Sequence, residues 1–163
     1  MSDNAKPTIT SAEAGGTPAV SGDEPASATS VWRVVLVDDH PLFRDGMARL
    51  FAYEDDFEVV AEASSGEEAV ERVREAMPDI VLMDLSLPAP GGNDATQKIK
   101  RELPATGVIV LSTSEDEEDL FAAIRSGAAA FILKDVGPED LVEIIRRVAA
   151  GEFLINDKVF SKP

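Results

Sequence analysis

From Val31 onward, short unbroken apolar runs alternate with longer segments whose apolar positions recur at helical spacing. Val31-Trp32-Arg33-Val34-Val35-Leu36-Val37 has the length of a strand and stops at Asp38-Asp39. Between Leu42 and Tyr53, the positions Leu42, Phe43, Met47, Leu50 and Phe51 mark one face of a helix. Phe57 to Ala61 reads as a second strand. Ser65, with Glu68 three residues later, is a capping box, and the helix it opens runs to about Met77, where Pro78 ends it. Ile80-Val81-Leu82-Met83 is a third apolar run and stops at Asp84. Pro88-Ala89-Pro90-Gly91-Gly92 is a loop by composition, followed by a helix to about Leu103. Val108-Ile109-Val110-Leu111 ends at Ser112. Ser114 is the expected cap of the next helix, whose first turn, Glu115 to Glu118, has the charge the helix dipole favours; Gly127 closes it. Ala130-Phe131-Ile132-Leu133 ends at Lys134, and a last helix begins at Pro138 and runs to about Ala150, before Gly151.

Five strand–helix units in succession are thus expected. Strands buried on both faces read as continuous apolar runs, which is the mark of a parallel sheet. Right-handed crossovers then place helices on both sides. The expected fold is α/β, a flavodoxin-like, doubly wound five-stranded parallel sheet in a (βα)5 three-layer sandwich over residues 31–150. Ligands in such folds bind beyond the carboxyl ends of the strands.

Residues 1–30 differ from the rest: they hold no aromatic residue, three prolines and many Ser, Thr, Ala and Gly. Such a segment cannot bury enough apolar surface to offset its chain entropy, so it reads as a disordered extension. No apolar run approaches the roughly 20 residues of a membrane helix, and no secretory signal opens the chain; the default compartment is cytoplasmic. The absence of cysteine excludes a disulfide framework, a thiolate metal site and a cysteine nucleophile. A single histidine excludes a multi-histidine zinc site. A net charge of −16 disfavours a general grip on nucleic-acid phosphates and is compatible with a hard cation, or simply with a soluble acidic surface.

The strand ends carry the candidate chemistry. Asp38 and Asp39 follow the first strand, Asp84 the third, Ser112 the fourth and Lys134 the fifth. A parallel sheet brings these ends to one edge. Two carboxylates about 5 Å apart repel by roughly 3 kcal/mol at an effective dielectric near 20, and a divalent cation offsets that cost. Oxygen-only ligands select Mg²⁺ over zinc. Asp84 is the best candidate nucleophile toward a phosphoryl group, with the carbonyl of Ser86 in the following loop as a metal ligand. Lys134 offers a point charge and Ser112 a hydroxyl to phosphate oxygens. Each position alone is an ordinary solvated strand end; the five together are not.

With these residues in place the sequence resembles a bacterial two-component response regulator receiver domain (CheY-like fold), and in particular the NarL/LuxR-type subfamily. The matching stretches are Val34 to Arg44 (Asp38-Asp39-His40-Pro41-Leu42-Phe43-Arg44), Pro78 to Pro88 around Asp84, and Gly127-Ala128 leading into Phe131-Ile132-Leu133-Lys134-Asp135. The resemblance implies that Asp84 accepts a phosphoryl group from a sensor histidine kinase and that Asp39 ligates Mg²⁺ directly and Asp38 through water. It implies that Lys134 pairs with phosphoryl oxygens, that Ser112 moves toward the new phosphate and that Phe131 follows as an aromatic switch. By itself Phe131 reads as core. The chain would then be a signalling receiver that catalyses only its own phosphotransfer and dephosphorylation.

Two departures from the subfamily pattern stand out. The loop after Asp84 places Gly91 at a position often acidic and Asn93 at one often apolar, which bears on loop conformation and phosphate lifetime. Asp135 follows Lys134 where many other receivers have proline, so no cis proline bond can form there. His40 is expected to cap or pack at the start of the first helix rather than act as a phosphocarrier or base. The acidic run Glu115–Asp119 reads as a solvated helix face. The last helix has apolar residues at Leu141, Val142, Ile144, Ile145 and Val148, which fits intrachain core and leaves a homodimer contact open. Residues 151–163 resemble a linker toward a DNA-binding output domain; the expected chain is a fragment of a transcription regulator, the alternative a stand-alone receiver acting by phosphorylation-dependent protein binding. An aspartyl-phosphate phosphatase would want an aspartate where Ser86 stands, and a flavin- or nucleotide-binding protein a glycine-rich loop where Asp38-Asp39-His40-Pro41 stands.

Overall fold

The computed structural model describes residues 31–154; the expected disordered extension, residues 1–30, and residues 155–163 of the expected linker, 151–163, lie outside the described residues. Ten elements alternate: β1 (Trp32–Val37), α1 (Pro41–Ala52), β2 (Phe57–Ala63), α2 (Gly66–Ala76), β3 (Ile80–Asp84), α3 (Gly92–Glu102), β4 (Gly107–Ser112), α4 (Glu117–Ser126), β5 (Ala130–Leu133) and α5 (Pro138–Ala149). All strand pairs are parallel, in the order β2-β1-β3-β4-β5. This is the five-stranded doubly wound sheet expected from the apolar runs.

Alternation along each strand divides the core in two. Val34, Leu36, Ile80, Leu82, Ile109, Leu111 and Ile132 face α1 and α5, which bring Met47, Phe51, Leu141, Val142, Ile145 and Val148. Val35, Val37, Val81, Met83, Val108, Val110 and Phe131 face α2, α3 and α4, which bring Ala69, Val70, Val73, Ala95, Ile99 and Ala123. Both faces being apolar is why the strands read as unbroken runs. Ile144 also packs against the first cluster, so all five apolar positions of α5 serve this chain's own core. No helix of the described residues is long and apolar enough to cross a membrane.

Three local expectations are corrected. Leu42 is not a core residue of α1 but 84% exposed, because the buried face runs through Met47 and Phe51 with Phe43 at its edge. Asp116, not Ser114, caps α4: its carboxylate accepts from Glu118 N at 3.2 Å, which leaves Glu117, Glu118 and Asp119 in the first turn. Ser114 instead accepts from Asp116 N at 3.0 Å. At α2, Ser65 Oγ accepts from Glu68 N at 3.1 Å, but Glu68 returns its bond to Ser64 N at 2.9 Å, one residue earlier than a reciprocal box requires. The α2 helix ends with Met77 at φ 50°, a left-handed cap, and the Arg33 guanidinium donates to the carbonyls of Ala76 and Met77. The Ala89–Pro90 bond is cis.

The compact unit runs past residue 150. Gly151 turns at φ 102°, and Leu154 is buried, bridges Ala130 and donates its N–H to Ala129 O at 2.8 Å.

Arg146 of α5 is clamped to the β2 approach. Its Nε and Nη2 donate to Asp56 at 2.8 and 3.1 Å, Nη2 donates to Glu54 at 2.8 Å, and the guanidinium lies 5.5 Å from the Phe57 ring centroid. The hydrogen bonds from Arg146 hold the Asp56 carboxyl below its ordinary pKa, against the opposing effect of burial. A lowered folded-state pKa means that the stabilisation is present above the ordinary carboxyl pKa and lost as pH falls through the folded value. Asp56→Asn is therefore expected to lower stability at pH 7 by about 1 kcal/mol, with the gap to wild type closing toward pH 3; urea midpoints at the two pH values check this.

Candidate functional site

The site is built where β1, β3, β4 and β5 end. Backbone bonds continue the sheet just beyond those ends: Asp38 N donates to Ala63 O at 3.1 Å, Leu85 N to Leu111 O at 2.8 Å and Lys134 N to Ser112 O at 2.7 Å. The residues that carry the polar groups are thus fixed to the rigid sheet rather than to free loops.

Asp84, the last residue of β3, is wholly buried, and Asp38 is 3% exposed. Lys134 Nζ lies between them, 2.8 Å from Asp38 Oδ2 and 3.3 Å from Asp84 Oδ1. Burial alone would push the Lys134 ammonium down, but the hydrogen bond to Asp38 and the charges of Asp84 and Asp38 outweigh it and hold its pKa above the ordinary value. The ion pairing is therefore intact through the neutral range and is lost only as pH rises through the folded value. Asp84 Oδ1 also accepts from Ser86 N and Ser86 Oγ, both at 3.2 Å.

One oxygen from each of Asp38, Asp39 and Asp84, with a ring nitrogen of His40, falls within 4.8 Å of one another. Two buried oxygens of this group, Asp39 Oδ1 and Asp84 Oδ2, have no hydrogen-bond partner among the described residues. Three carboxylates face one ammonium. A divalent cation supplies both the missing charge and the missing partner, so the donor set fits a hard, oxygen-seeking metal ion.

Asp38, Asp39, Asp84 and Lys134 are thus brought together, with Ser86 beside them. Ser112 is at the neighbouring strand end, but its hydroxyl is engaged in its own loop: it accepts from Ser114 N at 2.8 Å and donates to Ser114 O at 3.2 Å. Beside it a cleft of about 270 Å³ is lined by Ser112, Thr113, Glu115, Leu133, Lys134 and Asp135. Phe131 pairs with Val110 across the sheet and is fully buried in the α2–α4 side of the core. Asp38 Oδ1 accepts from His40 N at 2.8 Å, so an aspartate holds the start of α1 while the His40 side chain makes no cap bond.

Two contributors escaped the sequence reading. Phe43, whose spacing marks it as a helix-face apolar residue, places its ring centroid 4.5 Å from Lys134 Nζ, a cation–π contact that adds to the lysine's restraint. Arg44 Nη1 donates to Asp38 O at 2.6 Å while its Nε donates to Glu62 at 3.0 Å, tying the residue after β1 to the end of β2. Both lie in the Asp38–Arg44 stretch; the signal was their spacing of four and five residues from Asp39.

Residues 34–146 match the family model described as the response regulator receiver domain. The chain belongs to that family. It is similar to the transcriptional regulatory protein DegU of Brevibacillus brevis, 39% identical over 127 residues that cover 78% of this chain and 54% of DegU. The nitrate/nitrite response regulator protein NarL of Escherichia coli K12 is 36% identical over 138 residues, 85% of this chain and 61% of NarL. The crystal structure of a LuxR-family two-component response regulator from Aurantimonas sp. SI85-9A1 superposes with a TM-score of 0.75 at 36% identity, covering 80% of this chain and 93% of that one. The chain is a receiver domain of the NarL/LuxR type, and it spans little more than half the length of these curated relatives.

Proposed function

We propose that residues 31–150 form a phosphorylation switch in which Asp84 accepts a phosphoryl group from a phosphohistidine of a sensor histidine kinase. The observation that carries this reading is a fully buried carboxylate with one unpartnered oxygen, flanked by two further carboxylates and an ammonium. An Asp84 oxygen attacks phosphorus, the P–O bond forms as the P–N bond breaks, and the departing imidazole keeps the electron pair and takes up a proton. Asp39, Asp84 and the Ser86 carbonyl would hold Mg²⁺ directly and Asp38 through water. When bound, that ion supplies charge neutralisation for the carboxylates and the incoming phosphoryl oxygens. Lys134, held in place by Asp38 and Phe43, gives the transferred group a second cation.

A new phosphate adds charge of about −1.5 to −2 and strong acceptors at the edge of β3. Ser112 would exchange its Ser114 partners for a phosphate oxygen, and Phe131 would repack beneath it, biasing a two-state surface. Transfer and hydrolysis at Asp84 are then the only chemistry of the chain. Transcriptional output belongs to a DNA-binding domain joined through the C-terminal segment that follows Leu154, as the names of the relatives suggest; a homodimer is compatible with this scheme.

The test is incubation of the chain with Mg²⁺ and acetyl phosphate, followed by intact-mass measurement. Wild type is expected to gain one phosphate and Asp84→Asn none. An adduct of equal yield in the variant would move the acceptor elsewhere, and no adduct in wild type would overturn the switch.

A further inference from the structure

His40 is the chain's one histidine, and its position is unexplained by its own helix. It is the N-cap residue of α1, yet its ring makes no cap bond and is 68% exposed. Instead Nδ1 is turned to the acidic pocket, 3.2 Å from Asp38 Oδ1 and 3.2 Å from Asp39 Oδ1. The latter oxygen is one of the two buried atoms without a hydrogen-bond partner among the described residues, so the close approach of Nδ1 does not satisfy it. The other such atom belongs to wholly buried Asp84. One oxygen from each of the three aspartates and one imidazole nitrogen lie within 4.8 Å of one another.

We propose that His40 Nδ1 is an additional metal ligand of this pocket, giving it a mixed oxygen–nitrogen character that favours a borderline transition-metal ion such as Ni²⁺ over Mg²⁺ by more than an all-oxygen site would. The inference rests on the reading of the pocket as a cation site. Imidazole binds late first-row divalent ions far better than Mg²⁺, which keeps to oxygen. In the structure Nδ1 lies at hydrogen-bond distance from Asp38 Oδ1, 3.2 Å; with the ring proton on Nε2 instead, Nδ1 offers its lone pair to an ion, and because the side chain is already largely exposed and already adjacent, little needs to move. A solvent-facing histidine also leaves the all-oxygen set of Asp39, Asp84 and the Ser86 carbonyl intact, so Mg²⁺ is weakened little by the ring's presence. The consequence is a receiver pocket whose occupancy depends on which divalent ion is present.

Calorimetric titration of the full chain with MgCl₂ and with NiCl₂, for wild type, His40→Asn and Asp39→Asn, tests this. The Ni²⁺-to-Mg²⁺ affinity ratio is expected to fall about tenfold or more in His40→Asn. Pulsed electron paramagnetic resonance of the Mn²⁺-loaded protein is expected to show ligand-nitrogen modulation in wild type that is lost in His40→Asn. If wild type binds both ions, Asp39→Asn weakens both, and His40→Asn leaves the ratio and the nitrogen signal unchanged, the histidine role is overturned and the oxygen site stands. Should wild type bind neither ion, or Asp39→Asn bind both as wild type does, the pocket itself is not the cation site and both readings fall.

Discussion

Gly92→Ala is expected to destabilise the protein by roughly 3 kcal/mol, while the chemically identical Gly46→Ala is expected to stabilise it by about 0.5–1 kcal/mol. Gly92 opens α3, and a Cβ there would lie 2.3 Å from Asp84 O, 3.1 Å from Leu85 Cα and 3.2 Å from Asp84 C. All three obstacles are backbone atoms of β3 and its exit, so no rotamer change relieves them. The helix start cannot simply retreat: Thr96 Oγ1 donates to Gly92 O at 2.7 Å and Ala95 N to Gly91 O at 3.1 Å. The strain therefore falls on the strand end that carries Asp84, and phosphorylation by acetyl phosphate should slow with the loss of stability. Gly46 is in the middle of α1 and a Cβ there meets nothing within 4 Å; adding one only reduces the unfolded chain's freedom. Urea midpoints of the two variants check the pair, and equal midpoints for Gly92→Ala and wild type would show that α3 does not hold the Asp84 carbonyl at this distance.

That close approach explains part of what the sequence could and could not tell. The strands were legible because Val34–Val37, Ile80–Met83, Val108–Leu111 and Ala130–Leu133 are apolar on both faces, a pattern only a covered parallel sheet needs. Their polar successors were legible as a cluster because topology alone brings parallel strand ends together. The Pro88–Gly92 segment was legible only as a loop: composition marks flexibility, but the contact between Gly92 and Asp84 O is a tertiary distance without a local signature. The same holds for Leu42, whose apolar character fits the helical period while the helix rotates it outward. The cap of α4, found at Asp116 two residues past Ser114, and the return bond of Glu68, which goes to Ser64 rather than to the cap Ser65, reflect runs in which several good capping residues compete and only the final helix phase decides. The roles of Phe43 and Arg44 depend on Lys134 and Glu62, partners far away in sequence. Spacing along α1 could place them near Asp39, but it could not name what they would touch.

Lys134→Met is expected to lower the stability of the metal-free protein by about 3 kcal/mol, and Mg²⁺ is expected to restore much of that loss. Lys134 Nζ contacts two carboxylates that are almost entirely removed from water. Removing the ammonium leaves the Asp38 and Asp84 carboxylates without the cation they share, and Arg44 does not replace it, because it meets the Asp38 carbonyl rather than its carboxylate. Breaking a buried pair costs more than the pair contributes, since the partner stays charged and desolvated. Methionine keeps most of the aliphatic stem while removing the ammonium, so the loss is of charge rather than of bulk. A cycle separates the charge effect from any other: in an Asp84→Asn background one of the two stranded carboxylates is already neutral, and Lys134→Met should cost distinctly less there. The magnesium response completes the argument, because ammonium and metal ion answer the same excess of negative charge. Millimolar Mg²⁺ should raise the melting temperature of wild type, raise that of Lys134→Met by more, and leave Asp39→Ala nearly unmoved. A Lys134→Met protein as stable as wild type without Mg²⁺, or melting curves of all three proteins that ignore Mg²⁺, would mean that the three aspartates do not form one electrostatic unit.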